Sequence, residues 1–298
     1  MNLDSSQFNI RTPASWPMRA KQLYSFLITT LLTTIVTPQI CFAFHLPLWE
    51  LGMGIGTLNA PHYRGSKTEA NIFLPVPYGI YRGDILRVDR EEGVRGMLYE
   101  SKNLNLDLSF AGNIPVPDAE DSARAGMPGL DLLVEFGPEL ELNLWRSEKR
   151  DQNLWFKIPY RFVFSVGDPL MAYQGWTLSP YINYKINVRQ SSALIRYSIS
   201  LGPIFAGSKY HNYFYEVKPE YVTGDRQAYS ADSGYSGSRV TISVARNAKK
   251  YFAGIFARYD NLDNVVFADS SLVETNDYFI FGIAFAWIFV TSDSKVPH

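Results

Sequence analysis

The chain has very little cysteine, and this scarcity limits the chemistry open to it. Cys41 is the only cysteine among 298 residues, and it lies in a segment that we expect to be removed. The remaining chain then has no disulfide, no thiol nucleophile and no cysteine-based metal site. Charged residues make up 19%, below the roughly 25% usual for soluble domains. With a net charge of -1 and no Lys/Arg cluster, we expect no binding to nucleic acid.

Long apolar runs are also scarce, and the one near the N-terminus has the features of a signal peptide. Two basic residues precede an apolar run over residues 23–36. Cys41 and Ala43 then place small residues at the positions that a signal peptidase reads. We predict cleavage after Ala43, which assigns residues 1–43 to the signal peptide. The alternative is a helical membrane anchor, which needs about 20 apolar residues, more than this run has.

Aromatic residues are abundant, at 15%, and apolar positions recur with a period of two. Along residues 104–110, leucines and Phe110 alternate with asparagine, aspartate and serine, which gives an extended strand one apolar and one polar face. The same alternation runs through residues 154–164 and 279–289. Such lengths fit the ~9 to 11 residues of a tilted membrane-spanning strand. We therefore predict an all-β transmembrane antiparallel up-and-down β-barrel over residues 44–290, in preference to a soluble sandwich.

About ten strands satisfy the rule that bacterial barrels have an even strand number. They are placed near residues 48–58, 74–88, 94–110, 130–145, 153–166, 175–189, 193–206, 235–247, 250–260 and 276–290. Short turns then lie on one side and long loops on the other, which puts both ends of the barrel in the periplasm. A twelve-strand barrel is the alternative, with an added hairpin over residues 210–221. The polar C-terminal tail, residues 291–298, is expected to be disordered.

Strand parity directs ten charged side chains into the lumen. They are Asp107, Glu135, Glu139, Glu141, Lys157, Arg161, Lys185, Arg196, Arg239 and Arg258. A barrel this narrow has little open bore, so we expect opposite charges to pair there and to fill it. The alternative is a conducting pore.

Short motifs are spread over almost the whole chain after residue 43. The first group consists of Pro61, Tyr63, Gly65, Ser66, Pro75, Pro77, Tyr81, Arg82 and Gly83. Further motif residues lie at 123–128 and at Tyr213, Phe214, Val217, Tyr229 and Gly234. In this order they resemble the MipA/OmpV family of outer-membrane proteins. Pro61 and Gly65 bracket a predicted turn, and we expect residues 81–83 to brace it from the neighbouring strand.

The resemblance implies an outer-membrane protein of a Gram-negative cell envelope with no enzymatic activity and no cofactor. The family takes its name from an MltA-interacting protein, which joins a murein-degrading lytic transglycosylase to a murein synthase. We therefore expect a scaffolding protein that is a monomer in outer-membrane lipid and docks such periplasmic murein enzymes. The charged turn at residues 146–151 is the first docking surface to consider. The alternative is a narrow channel, or a surface receptor or adhesin.

The alternative functional class is an enzyme. A hydrolytic enzyme would need a general base, and few residues of the chain could act as one. There are only four histidines. His62 shares a predicted loop with Ser66, and His211 shares another with Asp225 and Asp232. No spacing among them demands a Ser-His or Asp-His pair, so we predict no catalytic residue. We also predict no metal site, because no two histidines lie at ligand spacing.

Overall fold

The computed structural model describes residues 45–89, 93–113 and 123–297, so the predicted signal peptide lies outside the described residues. The strands are β1 (His45–Pro47), β2 (Trp49–Pro61), β3 (Glu69–Arg82), β4 (Leu86–Asp89), β5 (Gly93–Glu100), β6 (Leu104–Asn113), β7 (Leu132–Arg146), β8 (Gln152–Val166), β9 (Ala172–Leu178), β10 (Tyr181–Gln190), β11 (Ala193–Ala206), β12 (Gly234–Ala248), β13 (Tyr251–Asn261), β14 (Asp277–Thr291) and β15 (Lys295–Pro297). The helix α1 spans Ser208–Tyr215, and a 3-10 turn spans Pro219–Tyr221. None of the helices in the described ranges has the length and apolar character needed to cross a membrane.

Strands β2 to β14 form one antiparallel sheet that closes on itself. Strand β14 pairs with β2, and β9 and β10 both lie between β8 and β11. These two strands are halves of one wall strand, separated at Ser179 and Pro180 because proline has no N–H to donate to a ladder. The wall therefore has twelve strands. The predicted all-β antiparallel barrel is confirmed.

The count of ten strands is wrong, and the alternative of twelve is confirmed, although the additional strands lie elsewhere than expected. The predicted strands at 74–88 and 94–110 each fold back on themselves. Gly83 N–H donates to the Leu86 carbonyl at 3.1 Å, and Ser101 N–H donates to the Leu104 carbonyl at 2.9 Å, closing two tight turns. The hairpin expected at residues 210–221 is instead the helix α1 and the 3-10 turn.

Side chains along the strands alternate between the lumen and the outer surface, as a pleated strand requires. On β14 the outward side chains are large and exposed, while Ala286 and Ile288 on the other face are buried. The same exposed apolar surface continues on β2 and β3. Its largest members are Met53, Ile55, Phe73, Phe281, Ile283, Trp287 and Phe289. An apolar outer belt around a more polar interior is typical of membrane barrels.

The two ends of the barrel differ in their connections. At the short-turn end, tight turns follow β3, β5, β7, β10 and β12. At the long-loop end, residues 62–68, 123–131, 207–233 and 262–276 pack together, and we call these four segments the cap. Buried side chains of the cap and of the adjacent strand ends form an apolar cluster. Its members include Tyr63, Leu133, Val163, Phe214, Tyr215, Val217, Leu262, Phe267 and Leu272.

A second apolar cluster, which we call the floor, lies in the lumen nearer the short-turn end. It consists of Tyr78, Ile80, Ala245, Phe252, Ala286 and Ile288. Outside the barrel ladder, β1 pairs with β15, with Leu46 opposite Val296. This pairing corrects the expectation of a disordered tail, since the backbone of β15 finds partners in β1.

Candidate functional site

The lumen wall formed by β5 to β8 contains a cluster of six charged side chains, which we call the charged cluster. Its members are Arg95, Asp107, Glu139, Glu141, Lys157 and Arg161. The Arg95 guanidinium lies 3.4 Å from the Asp107 carboxylate and 3.5 Å from Glu141. Lys157 bonds to Glu141, and Arg161 Nη2 lies 2.8 Å from Glu139 Oε2. Except for Arg161, these side chains are buried, so desolvation makes their pairing necessary.

Polar neighbours complete the charged cluster. Asn105 donates to Glu141 at 3.1 Å, and Arg161 Nε donates to the Ser109 hydroxyl at 3.0 Å. Glu141 is thus held by several donors, as a buried charge needs, whereas Asp107 is paired with Arg95 through one of its two oxygens. The cluster spans the lumen side of four adjacent strands and can fix their register.

A second polar group lies at the top of the lumen beneath the cap, centred on Asp260. Arg239 makes two bonds to its carboxylate, at 2.7 and 2.9 Å, in the bidentate geometry favoured by guanidinium. Tyr278 donates to it at 2.6 Å, and Arg64 of the first long loop lies 3.8 Å away. Arg64 also donates to the Ser236 hydroxyl at 3.1 Å. This Asp260 group therefore ties the cap to β12, β13 and β14.

The ten predicted lumen charges are divided among several places. Five of them join the charged cluster, and Arg239 joins the Asp260 group. Glu135 accepts from the Thr177 hydroxyl at 3.4 Å, and Arg196 donates to Asn187 at 2.8 Å. The Arg258 guanidinium lies over the Phe256 ring. Lys185 faces Ser198 of β11 across the ladder.

Several members of the charged cluster and of the Asp260 group are not among the ten predicted lumen charges. Arg95 could have been found, since it has the same parity as Asp107 within the predicted strand at 94–110. Asp260 could have been found, since it lies two residues after Arg258 and therefore on the same strand face. Arg64 could not have been predicted from the sequence, because its approach to Asp260 depends on how the first long loop folds. At the short-turn end, Glu50 accepts from Arg82 at 2.7 Å and from Tyr78 at 3.0 Å.

Seven of the nine motif residues of the first group lie at the two ends of the β2–β3 hairpin, and the other two lie between them. Tyr63 donates to the Leu272 carbonyl at 2.7 Å, and Gly65 has a φ of 89°, which favours glycine. Ser66 N–H donates to the Tyr63 carbonyl and closes the turn. Pro61 ends β2 at this end, and Pro75 and Pro77 lie within β3.

The expected brace of this turn by residues 81–83 is wrong, because Tyr81 pairs with Trp49 at the other end of the hairpin. There, Arg82 bonds to Glu50 and to the Pro47 carbonyl, and Gly83 closes the next turn. These three residues therefore organise the short-turn end.

The cap is held by aromatic contacts and by arginines that donate to backbone carbonyls. The rings of Tyr215 and Phe267 stack with centroids 3.8 Å apart. Arg124 donates to the Phe214 carbonyl at 2.7 Å, and Arg226 donates to the carbonyls of Ala123 and Ala125. Two of the later motifs, residues 123–128 and 213–214, meet in this way. They build part of the cap.

His211 of α1 is fully buried in the cap. Its Nδ1 lies 2.6 Å from the Asp232 backbone carbonyl, and its ring contacts Phe267. Burial lowers the pKa of His211, since a charged ring in this apolar setting is costly. Burial also raises the pKa of the neighbouring Tyr210 to about 12.

The described ranges contain neither of the hydrolytic pairs considered from the sequence. His211 contacts the backbone of Asp232 rather than its carboxylate. The Ser66 hydroxyl donates to the Thr68 carbonyl at 3.3 Å and lies 3.5 Å from a Glu274 oxygen. Residues 45–89, 93–113 and 123–297 also contain no group of three His, Cys, Asp or Glu side chains that could hold a metal ion.

The charged turn at residues 146–151, at the short-turn end, is held by hydrogen bonds. The Ser147 hydroxyl donates to Asp151 at 2.7 Å, and the Asp151 carbonyl accepts from Asn187 N–H of the neighbouring strand at 2.7 Å. Lys149 and Arg150 are exposed. The turn therefore presents two cations on a rigid frame.

Comparison with known proteins identifies the family. No curated protein matches the chain significantly. A sequence model of one family, described as "MltA-interacting protein MipA", matches residues 53–289. This range runs from β2 into β14 and so covers the barrel wall and the cap. The match extends over far more than half of the sequence, and the chain therefore belongs to the MipA family of MltA-interacting proteins.

Proposed function

We propose that this protein is an outer-membrane β-barrel, exported through a signal peptide, that docks murein-synthesising and murein-degrading enzymes at its short-turn end. The observation that carries the proposal is the closed twelve-strand wall with an apolar outer belt. An apolar belt is stable against hydrocarbon, and closure leaves the wall without the two free edges of an open sheet.

Two observations support the docking of murein enzymes: the family match and the hydrogen-bonded turn at residues 146–151. The family description names an interaction with MltA, a murein enzyme. In a barrel with long loops outside, the short turns face the periplasm, where a lytic transglycosylase acts on murein. Lys149 and Arg150 project from a turn fixed by Ser147 and Asp151. A rigid turn loses little entropy on binding.

Capture of a purified lytic transglycosylase by the purified barrel tests the docking role. Lys149→Glu with Arg150→Asn removes both exposed cations, and asparagine suits the φ of 57° at position 150. We expect this double variant to retain at least about tenfold less enzyme, since removing a charge contact from an interface costs up to a few kcal/mol. Lys218→Glu, an equally exposed change in the cap, is the matched control. Equal retention by all three proteins, or none by the parent, rules out docking through this turn.

The same arrangement supports a barrel that does not conduct ions freely. The cap covers the long-loop end, the charged cluster fills one lumen wall, and the floor lies towards the short-turn end. Planar-bilayer recordings should therefore show no stable large steps. Large, regular steps from the parent protein would instead favour a channel.

A further inference from the structure

Three arginines meet on the lumen side of β12 and β13, beneath the cap. Arg239 lies opposite Asp260 on the ladder that joins these strands, and Arg258 precedes Asp260 by two residues. Residues two apart on a strand share a face, so Arg258 faces the lumen together with Asp260. Diagonal neighbours on adjacent strands lie about 7 to 8 Å apart, which brings the long side chains of Arg239 and Arg258 close to each other. Arg64 joins them from the first long loop. We call these three arginines the arginine site.

A single carboxylate lies among the three guanidinium groups, and its two oxygens are already bonded. Arg239 donates to both oxygens of Asp260 through Nε and Nη2, and Tyr278 donates to one of them. The charged side chains around Arg258 are Arg64, Arg239 and Asp260. Three positive charges and one negative charge leave an excess of two positive charges at the arginine site.

Two buried nitrogens of the arginine site have no hydrogen-bond acceptor within the described ranges. They are Arg258 Nε and Arg64 Nη2. The Arg258 guanidinium instead lies 6.0 Å from the centre of the Phe256 ring, and an aromatic face satisfies a cation less well than an oxygen acceptor does. Buried charged donors without an acceptor are costly, so an added acceptor with negative charge is favoured here.

Space and further donors lie next to the arginine site. The Arg239 side chain is 33% exposed although it points into the lumen, whereas that of Asp260 is 0% exposed. Thr241 shares the lumen face of β12 with Arg239, and it lies opposite Arg258 on one side and Ser200 of β11 on the other. The hydroxyls of Thr241 and Ser200 can donate to an oxygen acceptor. This part of the lumen therefore has the donors that an oxyanion needs.

We infer that the arginine site binds a phosphate group in the lumen, either as inorganic phosphate or as part of a small phosphate ester. A phosphate group carries a charge of about -1.5 to -2 at pH 7, which matches the excess of two positive charges. Its several oxygens can accept from two guanidinium groups at once, and the planar guanidinium fits phosphate in bidentate geometry. A carboxylate has only one charge, and chloride has no directed acceptor sites. The inference does not depend on enzyme docking, because the charges belong to the barrel itself.

Titration calorimetry of the full-length barrel in micelles of a sugar-headgroup detergent tests the inference, with inorganic phosphate as the probe and ionic strength held constant with sodium chloride. A second titration with glycerol 3-phosphate distinguishes the free ion from an ester. Arg258→Gln removes one guanidinium of the arginine site. Arg246→Gln is the matched control, since it makes the same change of charge at an exposed position of the same strand.

We expect the parent and Arg246→Gln to bind inorganic phosphate with equal affinity. Arg258→Gln should bind it at least about tenfold more weakly, because a hydrogen bond between charged groups is lost. Heat-modifiable migration on gels verifies folding. Should Arg258→Gln not fold, Arg258→Lys replaces it, and it should also bind phosphate more weakly, because it keeps the charge but loses the planar fork.

Two results would overturn the inference. One is a parent protein that binds neither inorganic phosphate nor the ester. The other is an equal affinity in the parent, Arg246→Gln and Arg258→Gln, or an equal weakening in the two variants, which would mean that net charge alone attracts the anion. Enzyme capture is measured separately, so either result leaves the proposed docking role untouched.

Discussion

The lumen has two unlike walls built on the same strand alternation. On β5 to β8, the inward positions hold the charged cluster, and the ladders that join β6, β7 and β8 are long. On β14, β2 and β3, most inward positions are small or apolar, apart from Glu50 and its partners at the short-turn end. The difference teaches that alternation sets only which residues face inward. The identity of the inward residues decides whether a wall is held together by ion pairs or by packing of apolar side chains.

Removing one carboxylate from the charged wall should produce the largest loss of stability. Glu141→Ala takes away the group that bonds to Lys157 and Asn105 and lies 3.5 Å from Arg95. Breaking a buried ion pair costs about 3 to 5 kcal/mol because the remaining charge stays buried. Urea unfolding in detergent micelles measures the change. Glu148→Ala, in an exposed turn position, should have almost no effect, and equal losses in the two variants would contradict the expectation.

A truncation on the apolar wall should cost less. Ile288→Ala removes buried apolar atoms from the floor, and large-to-small changes of this kind cost about 2 to 5 kcal/mol. Its expected loss lies below that of Glu141→Ala because no charge is left unpaired. Ile283→Ala on the outer face of the same strand is the control, since that side chain is 59% exposed. A larger loss at Ile288 than at Glu141 would reverse the ranking of the two walls.

A single hydroxyl of the charged wall should have a smaller effect. Ser109 accepts from Arg161 at 3.0 Å and is itself buried. Ser109→Ala should therefore destabilise the barrel by about 1.5 to 3 kcal/mol, the range for a hydrogen bond to a charged group. Combining it with Arg161→Met in a double-mutant cycle isolates the pairwise contribution. Strictly additive losses in the cycle would show that this bond adds nothing.

The smallest expected effect is a pH dependence of the stability. It arises from a histidine of the cap and from neither lumen wall. The folded pKa of His211 lies below its ordinary value of 6.5 because of burial. As the pH falls below about 6.5, the unfolded chain binds the proton first, so stability decreases until the folded pKa is reached. Unfolding midpoints at pH 7.5 and 5.5 should thus differ more in the parent than in His211→Gln. His62→Gln is the histidine control, and identical pH responses in parent and His211→Gln would exclude a contribution from His211.

Local sequence patterns predicted much of this fold, and eight of the ten predicted wall strands are confirmed. Period-two alternation is encoded within a few residues, so strands such as β8, β11 and β14 could be read directly from the sequence. The same alternation could not show that the predicted strands at 74–88 and 94–110 each fold back on themselves. Gly83 and Ser101 close those turns through bonds to Leu86 and Leu104, and short turns inside a continuous alternating run leave only a weak signal.

The sequence by itself determined the barrel, its apolar belt and the charged character of its inward positions. Only the tertiary structure decided which charges meet, because Arg95 and Glu141 approach each other from strands that are far apart in sequence. The same holds for the cap, where Tyr63 and Leu272 are bonded across 209 positions of the chain. Alternation is a property of neighbouring residues, whereas pairing across a closed wall depends on register and on the folding of loops.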